Sequence, residues 1–182
     1  ILGLAALDRP NEWWFDSKTK TVYYMPPAKA DPNSMELRGR VRDFGIVLDR
    51  CSEIEIRGLG FHASGFWLKE CNDVSLRDCT FDYPATHRFL DGQFQYVAAW
   101  NPPSNGNTMP SFFGGKRNSF VNNTVRWCNA PVYLGSEEMV IENCLFSDIE
   151  WDVNSNGGSG AVMIGKNSGC RRNTISRWGN SE

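Results

Sequence analysis

Two stretches of this chain repeat one pattern: residues 48–61 read LDRCSEIEIRGLGF and residues 68–81 read LKECNDVSLRDCTF. They align without a gap, so that Leu48 matches Leu68 and Phe61 matches Phe81, each pair twenty residues apart. A period in the twenties with short alternating apolar positions is typical of stacked structural units, none of which buries its apolar face alone. The repeat therefore predicts a solenoid.

The pattern returns three more times. Residues 120–125 (FVNNTV), 141–146 (IENCLF) and 170–175 (CRRNTI) all overlay residues 56–61 (IRGLGF), and Leu134 and Ile164 take the role of Leu48. The equivalents of Phe61 are then spaced 20, 44, 21 and 29 residues apart, which indicates five coils and two insertions, near 82–112 and 147–161. Within each coil the period-two alternation predicts short parallel strands with one buried face. An antiparallel sandwich, the alternative, would not share one template at near-constant spacing.

A second column of the repeat lies two residues before each equivalent of Phe61. It holds small or medium residues, some of them amides, whose buried polar groups need backbone partners that stacked turns can supply. Its members are Leu59, Cys79, Asn123, Cys144 and Asn173.

Residues 1–45 precede the coils and are expected to form a separate lead-in. Residues 12–16 (EWWFD) and 21–27 (TVYYMPP) flank a polar turn and predict a β-hairpin. We expect this segment to cover the open edge of the first coil, which would otherwise expose unpaired backbone groups. That role is favoured over sugar binding by Trp13 or Trp14.

Composition narrows the class of protein. A length of 182 residues with 41% hydrophobic residues is sufficient for one core, and a net charge of −2 gives no basic footprint for nucleic acid. No apolar run reaches the roughly 20 residues of a membrane span, so we expect neither a span nor an intact signal peptide within these residues. The chain lacks an initiator Met and is expected to be a fragment.

The six cysteines do not form a disulfide or zinc framework. Cys79, Cys144 and Cys170 occupy apolar repeat positions and are expected to be small buried hydrophobes. Cys51 and Cys71 share a repeat position on successive coils, where a disulfide remains an alternative to two free thiols.

Residues 68–81 and 140–146 (VIENCLF) resemble the repeat of right-handed parallel β-helix proteins of the pectin-lyase-like superfamily, and the resemblance covers roughly residues 46–176. The lead-in is similar to the module found ahead of the helix in bacterial β-helix proteins related to glycosidases. The resemblance implies an all-β, right-handed parallel β-helix from a secreted or periplasmic carbohydrate-active protein of bacterial type, whose partner is a polysaccharide or oligosaccharide. It does not define the reaction, because the superfamily includes lyases, hydrolases, esterases and non-catalytic adhesins.

Residues that share a template position line up on successive coils, and one such column contains candidate site residues. The position after each equivalent of Phe61 places a His, an Asp and an Arg on successive coils about 5 Å apart, where charge-assisted hydrogen bonds could form. Such a cluster could hold an acidic sugar or move a proton, and a solvated polar ladder is the alternative. The column holds His62, Asp82, Arg126, Ser147 and Ser176, with Trp127 beside it as a saccharide-binding candidate.

Each insertion adds candidates, because insertions of a solenoid often form its binding face. The first contains charged groups for hydroxyls or carboxylates and aromatic rings for sugar faces, and a self-packed loop is the alternative. Its candidates are His87, Arg88, Asp91, Tyr96 and Trp100.

The second insertion places Asp148, Glu150 and Asp152 at alternating positions, which would put three carboxylates on one side of an extended segment. Trp151 is a further saccharide-binding candidate. Asp152, Asn154 and Asn156 match the start of a calcium loop, but Met163 stands where its bidentate Glu belongs. A flexible Asn/Gly loop is favoured over a calcium site, and no other cofactor is expected.

We expect a polysaccharide-cleaving enzyme, with a glycoside hydrolase favoured over a lyase. A hydrolase would take two carboxylates from Asp82, Asp91, Asp148, Glu150 and Asp152. A lyase would use His62, His87 or Arg126 as the base, with Arg88 or calcium neutralising the uronate. The motifs of polygalacturonases and pectate lyases are missing, so neither activity carries over. A non-catalytic saccharide-binding or adhesin-like β-helix is the second hypothesis.

Overall fold

A computed structural model of the chain describes residues 3–85, 109–149 and 161–178. These residues belong to two compact units that divide between Gly39 and Arg40. Among them, no helix combines the length and apolar character needed to cross a membrane.

The first unit contains the predicted hairpin. Strands β1 (Trp13–Asp16) and β2 (Thr21–Tyr24) pair antiparallel, and the rings of Trp14 and Tyr23 stack with centroids 5.4 Å apart. Asp16 Oδ1 accepts a hydrogen bond of 2.9 Å from the Lys18 backbone N–H and so fixes the turn. Two short 3₁₀ helices, Leu4–Ala6 and Pro32–Ser34, flank the hairpin. Its expected role as a cover for the first coil stays a prediction.

The second unit is built from fifteen described strands in three parallel sheets of five. Sheet I contains β3 (Phe44–Asp49), β6 (Gly65–Lys69), β9 (Ser111–Phe113), β12 (Val132–Leu134) and β15 (Val162–Ile164). Sheet II contains β4 (Glu55–Arg57), β7 (Ser75–Arg77), β10 (Ser119–Val121), β13 (Val140–Glu142) and β16 (Gly169–Arg171). Sheet III contains β5 (Gly60–His62), β8 (Thr80–Asp82), β11 (Thr124–Cys128), β14 (Leu145–Ile149) and β17 (Thr174–Trp178).

The strand register is the one that the repeat predicts. Phe61 pairs with Phe81, which pairs with Val125, and the column continues through Phe146 to Ile175. Each coil passes through sheets I, II and III in that order before the next coil begins one strand spacing, about 4.8 Å, further along. The fold is therefore a right-handed parallel β-helix of about five coils, and this prediction is confirmed.

The corners between the sheets share one backbone conformation. Successive coils place left-handed residues at equivalent positions, with φ between 49° and 72° at the described corners. The corner between sheets II and III uses residue types that tolerate this conformation, namely Gly58, Asp78, Asn122 and Asn143, followed by Arg172. The corner between sheets III and I differs, because it holds Ala63, Tyr83, Trp127, Asp148 and Arg177.

The inward columns form one core. Phe120 has no exposed surface, and its ring lies 5.4 Å from Phe66 and 6.1 Å from Phe146, measured between centroids. Phe61 and Phe81 stack with their ring planes 5° apart. Phenylalanine rings from all three sheets thus meet in the interior of the β-helix.

The cysteines follow the expectation except at the last described coil. Cys79 and Cys144 are buried, and burial raises the pKa of the Cys144 thiol to about 11. Cys170 was expected to be buried, but it is exposed, because β16 is the terminal strand of its sheet and has a neighbour on one side. Cys51 and Cys71 are free thiols that donate to the Asp49 and Lys69 carbonyls.

Buried asparagines connect successive turns. The Asn123 side chain accepts a hydrogen bond from the Cys79 backbone N–H at 2.8 Å and donates to the Leu76 carbonyl at 2.9 Å. Asn173 repeats both bonds two coils later, to Cys144 and Ile141 of the fourth coil. The amide column that the sequence predicts is therefore satisfied by the backbone of the preceding coil.

Replacing Asn123 by alanine is expected to lower the free energy of unfolding by about 2–6 kcal/mol, because a buried N–H and a buried carbonyl each lose their partner at about 1–3 kcal/mol. Urea unfolding followed by circular dichroism measures this. The neighbouring Asn122→Gly is the control, since Asn122 is exposed, its amide contacts Asp78 and Asn143 on the surface, and glycine keeps its left-handed φ of 56° without strain. Equal losses in the two variants would contradict the assignment.

Charged side chains also connect neighbouring coils. In each pair, a cation of one coil contacts a carboxylate of an adjacent coil. The pairs are Arg57–Asp78, Arg117–Asp73, Lys116–Glu137, Arg126–Asp82, Arg172–Glu142 and Arg177–Asp148.

Candidate functional site

The register places the predicted polar column on the outer side of sheet III. His62 lies opposite Asp82, Asp82 opposite Arg126, and Arg126 opposite Ser147, followed by Ser176. The alternation of the strands turns these side chains away from the core, because the neighbouring Phe61 column points inward. The sequence template thus brings five residues from five coils into one row.

Asp82 and Arg126 form a two-point ion pair. Arg126 Nε donates to Asp82 Oδ1 at 2.8 Å, and Arg126 Nη2 donates to Oδ2 at 2.9 Å. The carboxylate raises the pKa of the Arg126 guanidinium through these hydrogen bonds. The charge-assisted bond expected between neighbouring coils is therefore present. Both oxygens of Asp82 therefore accept a hydrogen bond from the same guanidinium.

Aromatic rings stack beside this pair. Tyr83 and Trp127, one residue further along their coils, stack with centroids 4.9 Å apart and planes 18° apart. The His62 ring meets Tyr83 edge-on at 5.5 Å, and Arg126 Cζ lies 4.7 Å from the Trp127 ring centroid. Tyr83 keeps 43% of its surface exposed. The two rings are therefore packed between His62 on one side and Arg126 on the other.

A second ion pair continues the row. Arg177 Nε donates to Asp148 Oδ1 at 2.6 Å and Arg177 Nη2 donates to Oδ2 at 2.7 Å, while the Ser147 hydroxyl donates to Oδ2 at 2.7 Å. These hydrogen bonds, the one from Arg177 first, lower the pKa of Asp148 from 3.8 to about 2. Asp148 belongs to β14, at its left-handed position. The other two carboxylates of the predicted run, Glu150 and Asp152, lie outside the described residues, so the run stays a prediction.

This pair makes the Asp148 contribution to stability dependent on pH. Because the folded pKa is lowered, the contribution is complete above the ordinary value of 3.8 and is lost as the pH falls toward about 2. We expect Asp148 to titrate near this lower value in carboxyl-detected NMR, and Arg177→Gln to return its midpoint toward 3.8. Arg171→Gln is the control, since Arg171 pairs with Glu142 instead. An unchanged midpoint in Arg177→Gln would refute the pairing.

Together these residues form the corner strip, the surface between sheets III and I that comprises His62, Asp82, Tyr83, Arg126, Trp127, Asp148 and Arg177. Sequence reasoning missed Tyr83 and Arg177. The sequence pattern that could have identified them is the next column of the template, one residue beyond His62 and its equivalents. That column also contains Trp127 and Asp148.

Both insertions begin at this same corner. Residues 86–108 follow Tyr83 after two residues, and residues 150–160 follow Ile149 at the end of β14. Ten of the predicted site residues lie outside the described residues: His87, Arg88, Asp91, Tyr96, Trp100, Glu150, Trp151, Asp152, Asn154 and Asn156. The calcium hypothesis and the contributions of both loops therefore stay predictions.

The contacts of the corner strip limit the chemistry that it can perform. Its two carboxylates are both bound by guanidinium groups, so neither is arranged to donate a proton to a leaving group. Within residues 3–85, 109–149 and 161–178, no group of three or more His, Cys, Asp or Glu side chains is placed to hold a metal ion. The strip is instead a rigid surface of aromatic edges and hydrogen-bonding groups.

Comparison of the chain with family models, with curated proteins and with solved structures finds no significant match in any of the three. The function must therefore be argued from the geometry.

Proposed function

We propose that this chain is a carbohydrate-active β-helix protein of the pectin-lyase-like type, which acts in a secreted or periplasmic setting and binds an oligosaccharide or polysaccharide at the corner strip. The observation that carries the proposal is the stacked pair of Tyr83 and Trp127, both held in the left-handed conformation with φ of 54° and 53°. A bulky residue in this conformation costs about 1–2 kcal/mol relative to ordinary backbone. Two such residues side by side favour a role for the rings themselves.

The surroundings of the rings suit a saccharide. Sugar hydroxyls both donate and accept hydrogen bonds, and the strip supplies the Tyr83 hydroxyl, the Trp127 indole N–H and the outer lone pairs of Asp82. The ion pair and the ring stack fix these groups before a ligand arrives, which reduces the entropy lost on binding. A solenoid flank also offers an extended chain several successive contacts.

The described carboxylates favour binding over catalysis at the strip, because Asp82 and Asp148 are each engaged by an arginine at both oxygens. Glycosidic cleavage, which we expected of a hydrolase, would in this proposal take its carboxylates from the remaining candidates Asp91, Glu150 and Asp152, which lie outside the described residues. Reducing ends released from a polysaccharide would support it, and an unsaturated product absorbing in the ultraviolet would indicate a lyase. Binding without either product would leave the non-catalytic alternative.

Replacing Trp127 by alanine is expected to weaken saccharide binding by about tenfold or more, since truncating a partly buried aromatic anchor typically costs over about 1 kcal/mol. Isothermal titration calorimetry against a panel of neutral and acidic oligosaccharides measures the loss. Trp13→Ala removes an exposed tryptophan of the hairpin unit and serves as the control. If no member of a broad panel binds, or if Trp127→Ala binds as the parent does, the proposal fails.

A further inference from the structure

The arginines of the corner strip are already occupied. A guanidinium recognises a carboxylate best through two parallel N–H bonds in one plane. Arg126 uses its Nε and Nη2 in this way on Asp82, at 2.8 and 2.9 Å, and Arg177 uses the same atoms on Asp148, at 2.6 and 2.7 Å. In both arginines the Nε–Nη2 edge is thus filled by the protein, and a uronic acid carboxylate could reach only the Nη1 side of each guanidinium.

A third arginine near the strip is also occupied. Arg40 donates to the backbone carbonyls of Asp43 at 2.6 Å and Pro84 at 3.1 Å, and its side chain is 15% exposed. Its Nη1 further contacts the Tyr83 carbonyl at 3.4 Å. This guanidinium supports the corner backbone and has little surface for a ligand.

Displacing an internal carboxylate is unfavourable. A uronate that took Asp82's place on Arg126 would leave Asp82 charged, without its partner and beside the incoming anion. Arg126 is also held over the Trp127 ring, 4.7 Å from its centroid, so it cannot turn outward without losing that contact. The charges of the two pairs cancel, so that the strip has no net attraction for an anion. Arg126 and Arg177 both have raised pKa values because of these carboxylates, which is consistent with tight pairing.

From this geometry we infer that the corner strip selects neutral saccharides and discriminates against uronate residues. The inference rests on the proposed saccharide binding and specifies its ligand. The groups left available are hydroxyl-type partners: the Tyr83 hydroxyl, the Trp127 N–H and the unshared Nη1 of Arg126. Neutral hexoses satisfy these groups through their hydroxyls without breaking an ion pair.

The test uses matched ligand pairs, each an oligouronide and the neutral oligosaccharide made by reducing its carboxyl groups. Calorimetry at about pH 8, where an ordinary imidazole is neutral, gives both affinities. The neutral member is expected to bind about tenfold or more tightly. Equal or tighter binding of the uronide overturns the inference while the proposed function stands. Failure of both members of every pair overturns the proposed function and the inference with it.

Variants test the cause of the preference. Asp82→Asn releases Arg126 and is expected to reduce the ratio of neutral to uronide affinity by about tenfold. Asp148→Asn releases Arg177 and provides a second, independent reading of the same ratio. Asp78→Asn is the matched control, because Asp78 pairs with Arg57 at a different corner, at 2.6 Å, and should leave the ratio unchanged. A ratio that stays the same in both Asp82→Asn and Asp148→Asn overturns the inference.

Discussion

Replacing Phe120 by alanine is expected to lower the free energy of unfolding by about 3–5 kcal/mol, the range for truncating a fully buried phenylalanine. The ring has no exposed surface and lies among Phe66, Phe81, Phe112 and Phe146. Phe120 belongs to the third of five coils, and each coil of a solenoid contacts its two neighbours. A cavity there weakens the interfaces on both sides, so the effect should exceed that of a terminal coil.

Urea unfolding followed by circular dichroism gives the change for Phe120→Ala. Val47→Ala is the control from the same β-helix, because Val47 is 59% exposed and should change the free energy of unfolding by about 0.5 kcal/mol or less. A Phe120→Ala midpoint within error of the Val47→Ala midpoint would show that the aromatic column does not stabilise the coils.

The second large effect is expected at Gly115. A β-carbon at this position would lie 1.8 Å from the Cys71 carbonyl oxygen, and the backbone φ is +72°. Gly115→Ala therefore combines a left-handed conformation, at about 1–2 kcal/mol, with overpacking against backbone, at about 1–3 kcal/mol. The Lys116 N–H donates to this same Cys71 carbonyl, so the clash also disturbs a bond between coils two and three.

Gly60→Ala is the control for Gly115→Ala, because it makes the same substitution where a β-carbon has room. A β-carbon at Gly60 meets nothing within 4 Å, and the residue lies in strand β5. We expect Gly60→Ala to keep the parent's thermal midpoint or raise it slightly, since alanine reduces the entropy of the unfolded chain. Equal thermal midpoints for Gly115→Ala and Gly60→Ala would contradict the close approach at Gly115.

Much of the fold could be predicted because, in a solenoid, residues one repeat apart in the sequence lie side by side on adjacent strands. Phe61 and Phe81 are twenty residues apart, and that interval alone placed them, and therefore His62 and Asp82, on adjacent strands. The Leu48 column was found at Leu134 and Ile164, whereas its member Phe112 was missed, because the first insertion hides the start of the third coil.

The site was less predictable because the pairing of two side chains depends on where each side chain points as well as on the strand register. The template showed that Asp82 and Arg126 were neighbours, and their ion pair followed. Asp148 was read as part of an insertion, although it belongs to β14 and pairs with Arg177 one coil later. Periodicity could not show that the left-handed corner turns Tyr83 and Trp127 into a stack, since that depends on backbone angles that these residue types rarely adopt.

At the left-handed corners, the groups that would recognise a ligand differ from the groups that hold the backbone in place. Their backbone is held by hydrogen bonds between the main chains of neighbouring coils, such as the Tyr83 N–H to the Arg126 carbonyl at 3.0 Å. A new ligand preference could therefore arise by exchanging two or three corner residues while every core column stays as it is. In evolutionary terms, the corner column would be the part of each coil that can change without altering the core, with paired residues such as Asp82 and Arg126 changing together.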